Sequence, residues 1–153
     1  MTLHELKQYI KSVCLAHKDI NDFYIGSSYN EAEDITLKYP LVFYELPYLI
    51  NYNVNPSQQV DLVQFAFNVM VDTNWDAIEQ DHDSISAAKE IGDQIVTYII
   101  NDTRDFVIRS ITAVSVRESD KDSATGMNFG WTIALPRTAC DSGYADNFNP
   151  IDA

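Results

Sequence analysis

Apolar residues recur at helical spacing in two stretches of the chain and alternate with polar ones in several others. Leu3, Leu6, Ile10, Val13, Cys14 and His17 fall three and four apart, which predicts an amphipathic helix to about residue 17. Thr2 and Glu5 have the spacing of a capping box at its start, hydroxyl and carboxylate each meeting a free N–H of the first turn. Ile85, Ala88, Ile91, Ile95, Val96 and Ile99 give the buried stripe of a second helix. It is expected to begin at Asp83 or Ser84 and to end at Asn101-Asp102, with Lys89, Glu90, Asp93 and Gln94 on its wet face.

Strands fill much of the rest. Leu41–Leu46 is rich in β-formers and closes at Pro47, with Tyr48–Tyr52 as a continuation beyond a kink. Gln58–Asp72 carries the clearest alternation, Val63, Phe65, Phe67, Val69 and Val71 sharing one face. A strand of that length reaches roughly 45 Å, well beyond the usual one, so part of it is expected to project past the sheet or to pair with another subunit. Phe106–Arg117 and Asn128–Leu135 alternate as a hairpin around a polar loop, Glu118–Gly126. Asp22–Gly26 is short and apolar, either a strand or a packed connection, and residues 27–38 read as a polar loop.

The resulting order, α-β-β-α-β-β, predicts an α+β fold: an antiparallel twisted sheet of about four strands with two helices packed on one face. One domain spans 1–135, followed by an extended tail over 136–153 with many Asp, Asn, Gly and Pro and no periodicity.

Charge narrows the partners. With 23 acidic and 10 basic residues the net charge is −13, and such a surface repels nucleic acid and anionic membranes, whose binding needs Lys and Arg. Acidity also simply keeps a protein soluble. No run approaches the ~20 apolar residues of a membrane span, and the N-terminus lacks a signal-peptide layout. Two cysteines, Cys14 and Cys140, make no disulfide framework in a chain of 153 residues; a reducing, intracellular folding compartment fits them.

Candidate chemistry is sparse. Asp81-His82-Asp83 reads as a metal or acid/base cluster, or as an acidic helix N-terminus stabilised by the macrodipole. Cys14 lies on an apolar helix face, as a buried structural thiol does. Glu118, Asp120 and Asp122 lack calcium-loop order, because Lys121 interrupts them. Tyr39, Tyr44, Tyr48, Tyr52, Trp75 and Tyr144 suit protein contacts better than a stacking platform for bases, which the charge disfavours. No phosphate loop, nucleophile elbow or dinucleotide fingerprint occurs. No catalytic, cofactor-binding or metal-ligating residue is therefore assigned, and no enzyme activity or cofactor is expected.

From about residue 2 to 145 the chain resembles the tail-terminator, tail-completion and neck-ring proteins of tailed bacteriophages. The residues that carry the resemblance are Asp22-Phe23-Tyr24-Ile25-Gly26, Tyr39-Pro40-Leu41-Val42-Phe43 and the long strand with Phe65, Asn68, Val69 and Val71. A last hairpin completes it, ending Trp131-Thr132-Ile133-Ala134-Leu135-Pro136 and Ala139-Cys140-Asp141. The resemblance implies a virion protein assembled in the host cytoplasm. It implies a homo-oligomeric ring contacting other phage neck, portal or tail proteins, with DNA passing without specific binding and no membrane involved. It implies that Ser27–Lys38, Asn74–Asp83, the Glu118–Gly126 tip and the C-terminal tail clasp neighbours. Two other classes stay open: a small-ligand module or enzyme on a ferredoxin-like sandwich, with Asp81, His82 and Asp83 at its site, and an acidic inhibitor that mimics DNA.

Overall fold

The structure, a computed structural model, describes residues 1–26, 38–55, 57, 59–72, 78–118, 124–137 and 149 (backbone alone at 78–81 and 118). The order of elements is α1 (Leu3–Ala16), β1 (Asp22–Gly26), β2 (Leu41–Asn51), β3 (Val60–Asp72), α2 (Ile78–Asn101), β4 (Val107–Glu118) and β5 (Ala124–Pro136). They build an α+β fold: one five-stranded sheet in the order β1-β2-β3-β5-β4, with both helices on one face.

Thr2 and Glu5 cap α1 as their spacing requires. Glu5 N donates to Thr2 Oγ1 at 3.1 Å, and Thr2 N donates to Glu5 Oε2 at 2.6 Å. The helix buries Leu6, Ile10 and Cys14 and ends at His17, whose backbone N–H returns to Cys14 O. Its side chain closes two further bonds: Nδ1 accepts from Asp19 N at 3.1 Å, leaving Nε2 as the donor to Gln94 Oε1 on α2 at 2.6 Å. Tyr9 OH donates to Asp102 Oδ2 at 2.8 Å. Residue 9 thus meets residue 102 and residue 17 meets residue 94, so α1 and α2 run antiparallel.

The helical face of the sheet is an aromatic layer. Cross-strand partners Phe65 and Trp131 stack at 5.8 Å, and Phe67 and Phe129 at 5.6 Å. Tyr44 stacks on Phe65 at 5.7 Å and extends the layer across β2. α2 lies on this layer with Ala88, Ile91, Gly92, Ile95 and Ile99 facing inward. At its C-terminus Arg104 Nη1 donates to the carbonyls of Ile99, Ile100 and Asp102 at 2.7, 3.1 and 2.9 Å. These are carbonyls that lack a partner within the helix.

Several expectations change. The sheet has five strands and is mixed, because Asp22–Gly26 is a true edge strand pairing parallel to β2. As expected from the continuation over Tyr48–Tyr52, β2 runs on past Pro47, to Asn51. Its ladder to β3 is interrupted between Glu45 and Leu49, and its ladder to β1 ends at Glu45, so a proline sits where no N–H is needed. The long strand neither projects nor waits for another subunit. β3 is central and pairs with β5 over its whole length, from Val60↔Pro136 to Asp72↔Ala124. Ala124 to Gly126, expected in the loop, are buried strand residues, and residues 119–123 of that loop lie outside the described set. α2 begins at Ile78, ahead of the expected cap at Asp83 or Ser84. β4 alternates less simply than its sequence, since a bulge between Ile108 and Ser110 puts Ile108 and Ile111 on the same side.

Gly92 sets how closely α2 approaches the sheet. A Cβ there would lie 2.0 Å from Phe129 Cζ. Alanine favours a helix over glycine by about 1 kcal/mol, but overpacking a buried ring costs roughly 1–3 kcal/mol, and Phe129 is buried and stacked on Phe67. Gly92→Ala is expected to lower the urea midpoint, corresponding to a net loss of up to about 2 kcal/mol. An unchanged or higher midpoint would mean that α2 does not depend on this approach.

Candidate functional site

With the helices on one side, the other face of the sheet has no described helix against it. Register places Asp22 and Tyr24, Leu41, Phe43, Glu45 and Leu49, and Leu62 to Asp72 at even positions on this open face. Even positions of β5 and the residues Val107, Ser110, Thr112, Val114 and Val116 of β4 join them. One end is apolar: Leu41, Phe43, Met70 and Ala124 are buried together with Tyr24, Tyr39 and Val116 beside them.

The middle is polar and built across three strands. Glu45, Asn68 and Asn128 lie on adjacent β2, β3 and β5. Asn68 Nδ2 donates to Glu45 Oε1 at 2.6 Å and Asn128 Nδ2 donates to the same oxygen at 3.2 Å, while Asn128 Nδ2 also reaches Asn68 Oδ1 at 2.8 Å. Asn68 is buried, and its amide and that of Asn128 supply the donors that a carboxylate needs when it is taken partly out of water. Next to this triad the small residues Ala66 and Gly130 leave a shallow trough of about 330 Å³, rimmed by Leu49, Gln64, Thr112 and Thr132. The strongest polar groups here bond one another, which makes the triad a rigid strut. No Lys, Arg or His occupies any paired position of this face. Asp22, Glu45 and Asp72 do.

Among the described residues, those singled out in the sequence do not converge. His82 and Asp83 are exposed on the first turns of α2, in the helical layer, while the side chain of Asp81 lies outside the described residues. His4 is exposed on the first turn of α1 and His17 serves as its C-cap. Among the described residues no group of three His, Cys, Asp or Glu is placed to hold a metal. Asp120, Asp122, Trp75, Cys140 and Tyr144 fall outside them. The tyrosines separate: Tyr44 is buried in the core with its hydroxyl 3.0 Å from that of Tyr48, Tyr39 belongs to the apolar cluster, and Tyr52 is exposed. Burial pushes the Tyr44 phenol far above its ordinary range. Burial likewise pushes the Cys14 thiol up to about 12, so it is no nucleophile at neutral pH.

Sequence reading missed two polar assemblies. One is the Glu45–Asn68–Asn128 triad, signalled only by polar residues inside otherwise apolar strands. The other is a clamp at the far end of the sheet. Asp61 is buried and takes Arg137 Nε at 2.9 Å on Oδ2, the Arg137 Nη2 on Oδ1, and Asn53 N at 2.8 Å on Oδ1. Arg137 Nη2 also donates to Asn53 O at 2.6 Å, and Arg137 N to Gln59 O at 2.8 Å. The end of β5 is thereby tied to the β2–β3 connection. The Arg137 guanidinium holds the Asp61 carboxyl below its ordinary value, outweighing the effect of burial.

No protein-family model matches the chain, and no curated protein matches it in sequence. Among the described residues no helix is long and apolar enough to cross a membrane.

Two predictions follow from these groups. Because Asp61 has a lowered folded pKa, its contribution to stability is fully present above the unfolded value of about 3.9 and is lost as pH falls through the folded value. Arg137→Met is expected to cost about 1–2 kcal/mol at pH 7, since the guanidinium is partly exposed. That difference shrinks as pH is lowered below about 4, and a difference independent of pH would show that the clamp acts through packing alone. In a Cys140→Ser background, Cys14 is expected to react with a thiol reagent only as fast as the protein unfolds globally; rapid labelling of the native chain would contradict its burial.

Proposed function

We propose that this chain is a structural protein of a tailed bacteriophage. It assembles into a homo-oligomeric ring at the head–tail connection or at the tail end, and lines the path by which DNA leaves. The observation that carries the reading is the composition of the open sheet face. Its paired positions hold apolar side chains, amides, hydroxyls and carboxylates, and none among the described residues holds a cationic side chain. Adhesion to DNA requires Lys and Arg at the phosphates. A wall without them, in a chain of net charge −13, repels a polyanion that must slide past it. In such a ring the open faces line the lumen and the two helices form the outer layer. The element order that underlies the resemblance to tail-terminator and neck-ring proteins supports the same assignment.

A second reading, a small-ligand module, has one observation in its favour, the trough beside Ala66 and Gly130. It is weaker because Glu45, Asn68 and Asn128 bond each other and His82 and Asp83 lie in the helical layer.

Light scattering on the purified protein, with negative-stain images of the same sample, tests the proposal. A closed ring with an open centre is expected, together with no retardation of duplex DNA on a gel at low salt. A chain that stays monomeric at its highest soluble concentration, or one that binds duplex DNA, overturns it.

A further inference from the structure

The trough over Ala66 and Gly130 is lined by one charged side chain, Glu45, and only one of its two carboxylate oxygens is engaged. Oε1 accepts from Asn68 Nδ2 at 2.6 Å and from Asn128 Nδ2 at 3.2 Å. Asn128 stands two strands away from Glu45, so the side chain reaches across β3 over Ala66, the strand partner of both Glu45 and Gly130. The two amides hold the carboxylate in one orientation. Oε2 accepts no hydrogen bond from a described residue. It is not sealed in either: the buried side-chain nitrogens and oxygens without a partner, among the described residues, are Arg104 Nε and Trp131 Nε1. Around the carboxylate, Gln64, Ser110, Thr112 and Thr132 line the trough with side-chain oxygens that are not engaged in hydrogen bonds. Pro47 and Leu49, the latter 56% exposed, add an apolar wall.

We infer that this trough receives a lysine side chain of a partner protein, its ammonium on Glu45 Oε2 and its methylene stem along Pro47 and Leu49. A carboxylate partly out of water gains most from a charged donor, and no paired position of this face supplies one from within the chain. A guanidinium pairs best with both oxygens of a carboxylate through parallel bonds. Here Oε1 already holds two amides, so one oxygen is left, which suits a compact ammonium. Its other two N–H groups find acceptors in Gln64 and Thr112, and its apolar stem matches the wall. Shape selects the source. Small-ligand sites bury most of their ligand, whereas this trough is shallow, about 330 Å³, with Gln64, Ser110 and Thr112 exposed at its rim. A lysine presented by a protein surface needs no such enclosure. The inference goes beyond the ring reading and does not rest on it. A polyanion brings no donor to Oε2, so the site is compatible with a wall past which DNA slides.

Saturation-transfer NMR on the full chain, with Nα-acetyl-lysine methylamide as the probe, tests this; it detects weak binding to monomers and to large assemblies alike. Saturable transfer to the side-chain methylenes of the probe is expected, with a Kd of about 1–10 mM. The arginine counterpart is expected to bind at least about threefold more weakly. Glu45→Gln keeps an acceptor for Asn68 and Asn128 and removes the charge, while Ala66→Leu fills the floor and keeps the carboxylate. Both are expected to leave the far-UV circular dichroism unchanged and to abolish saturable binding. No saturable transfer to the wild-type chain up to about 20 mM probe, or transfer unchanged in either variant, overturns the inference. An arginine probe that binds as well as the lysine probe overturns the choice of an ammonium. n-Butylamine, the same side chain without a backbone, is expected to bind no tighter than the probe. A Kd for it below about 0.1 mM would mean that a free amine fills the trough unaided, and overturns the choice of a protein side chain.

Discussion

The contact between α2 and the centre of the sheet fixes what each surface of this protein can be. Gly92 lets the helix settle on Phe129, and Phe129 lies in an aromatic layer running through Phe67, Trp131, Phe65 and Tyr44. Burying a side chain of that size is worth roughly 1.5–3 kcal/mol, so the layer commits one face of the sheet to the core. Once that face is taken, α1 has one place left, antiparallel to α2 and held there by the His17–Gln94 and Tyr9–Asp102 bonds. The opposite face, by exclusion, is surface.

That surface is organised without helices. Three adjacent strands each contribute one member of the Glu45–Asn68–Asn128 triad, and their mutual hydrogen bonds hold a carboxylate rigidly in the sheet. On the opposite, helical side, at the sheet's end, Asp61 and Arg137 form an ion pair joined by several backbone bonds. In both places a carboxylate accepts hydrogen bonds from donors on other segments of the chain. The open face therefore joins an apolar end to a polar middle, and its described paired positions carry carboxylates and no cation. Among the described residues β4 is the outer strand at the edge of the sheet away from β1.

The sequence alone determined the elements and the sidedness of the core. Spacing of three and four in Leu6, Ile10 and Cys14 and in Ile91, Ile95 and Ile99 is a property of single helices. The alternation of Val63, Phe65, Phe67 and Val69 is a property of a single strand, and the capping box at Thr2 and Glu5 spans one turn. All are local, so they are legible without partners. Tertiary structure alone decided what depends on residues far apart in the chain. It made Asp22–Gly26 a parallel edge strand, placed β3 at the centre instead of at a projecting end, and turned Ala124–Gly126 from loop into buried strand. It also brought Glu45 to Asn68 and Asn128 and Asp61 to Arg137, while leaving His82 and Cys14 apart. Strand order and polar convergence are set by pairing between distant segments, and a pattern read along one segment carries no record of its partner.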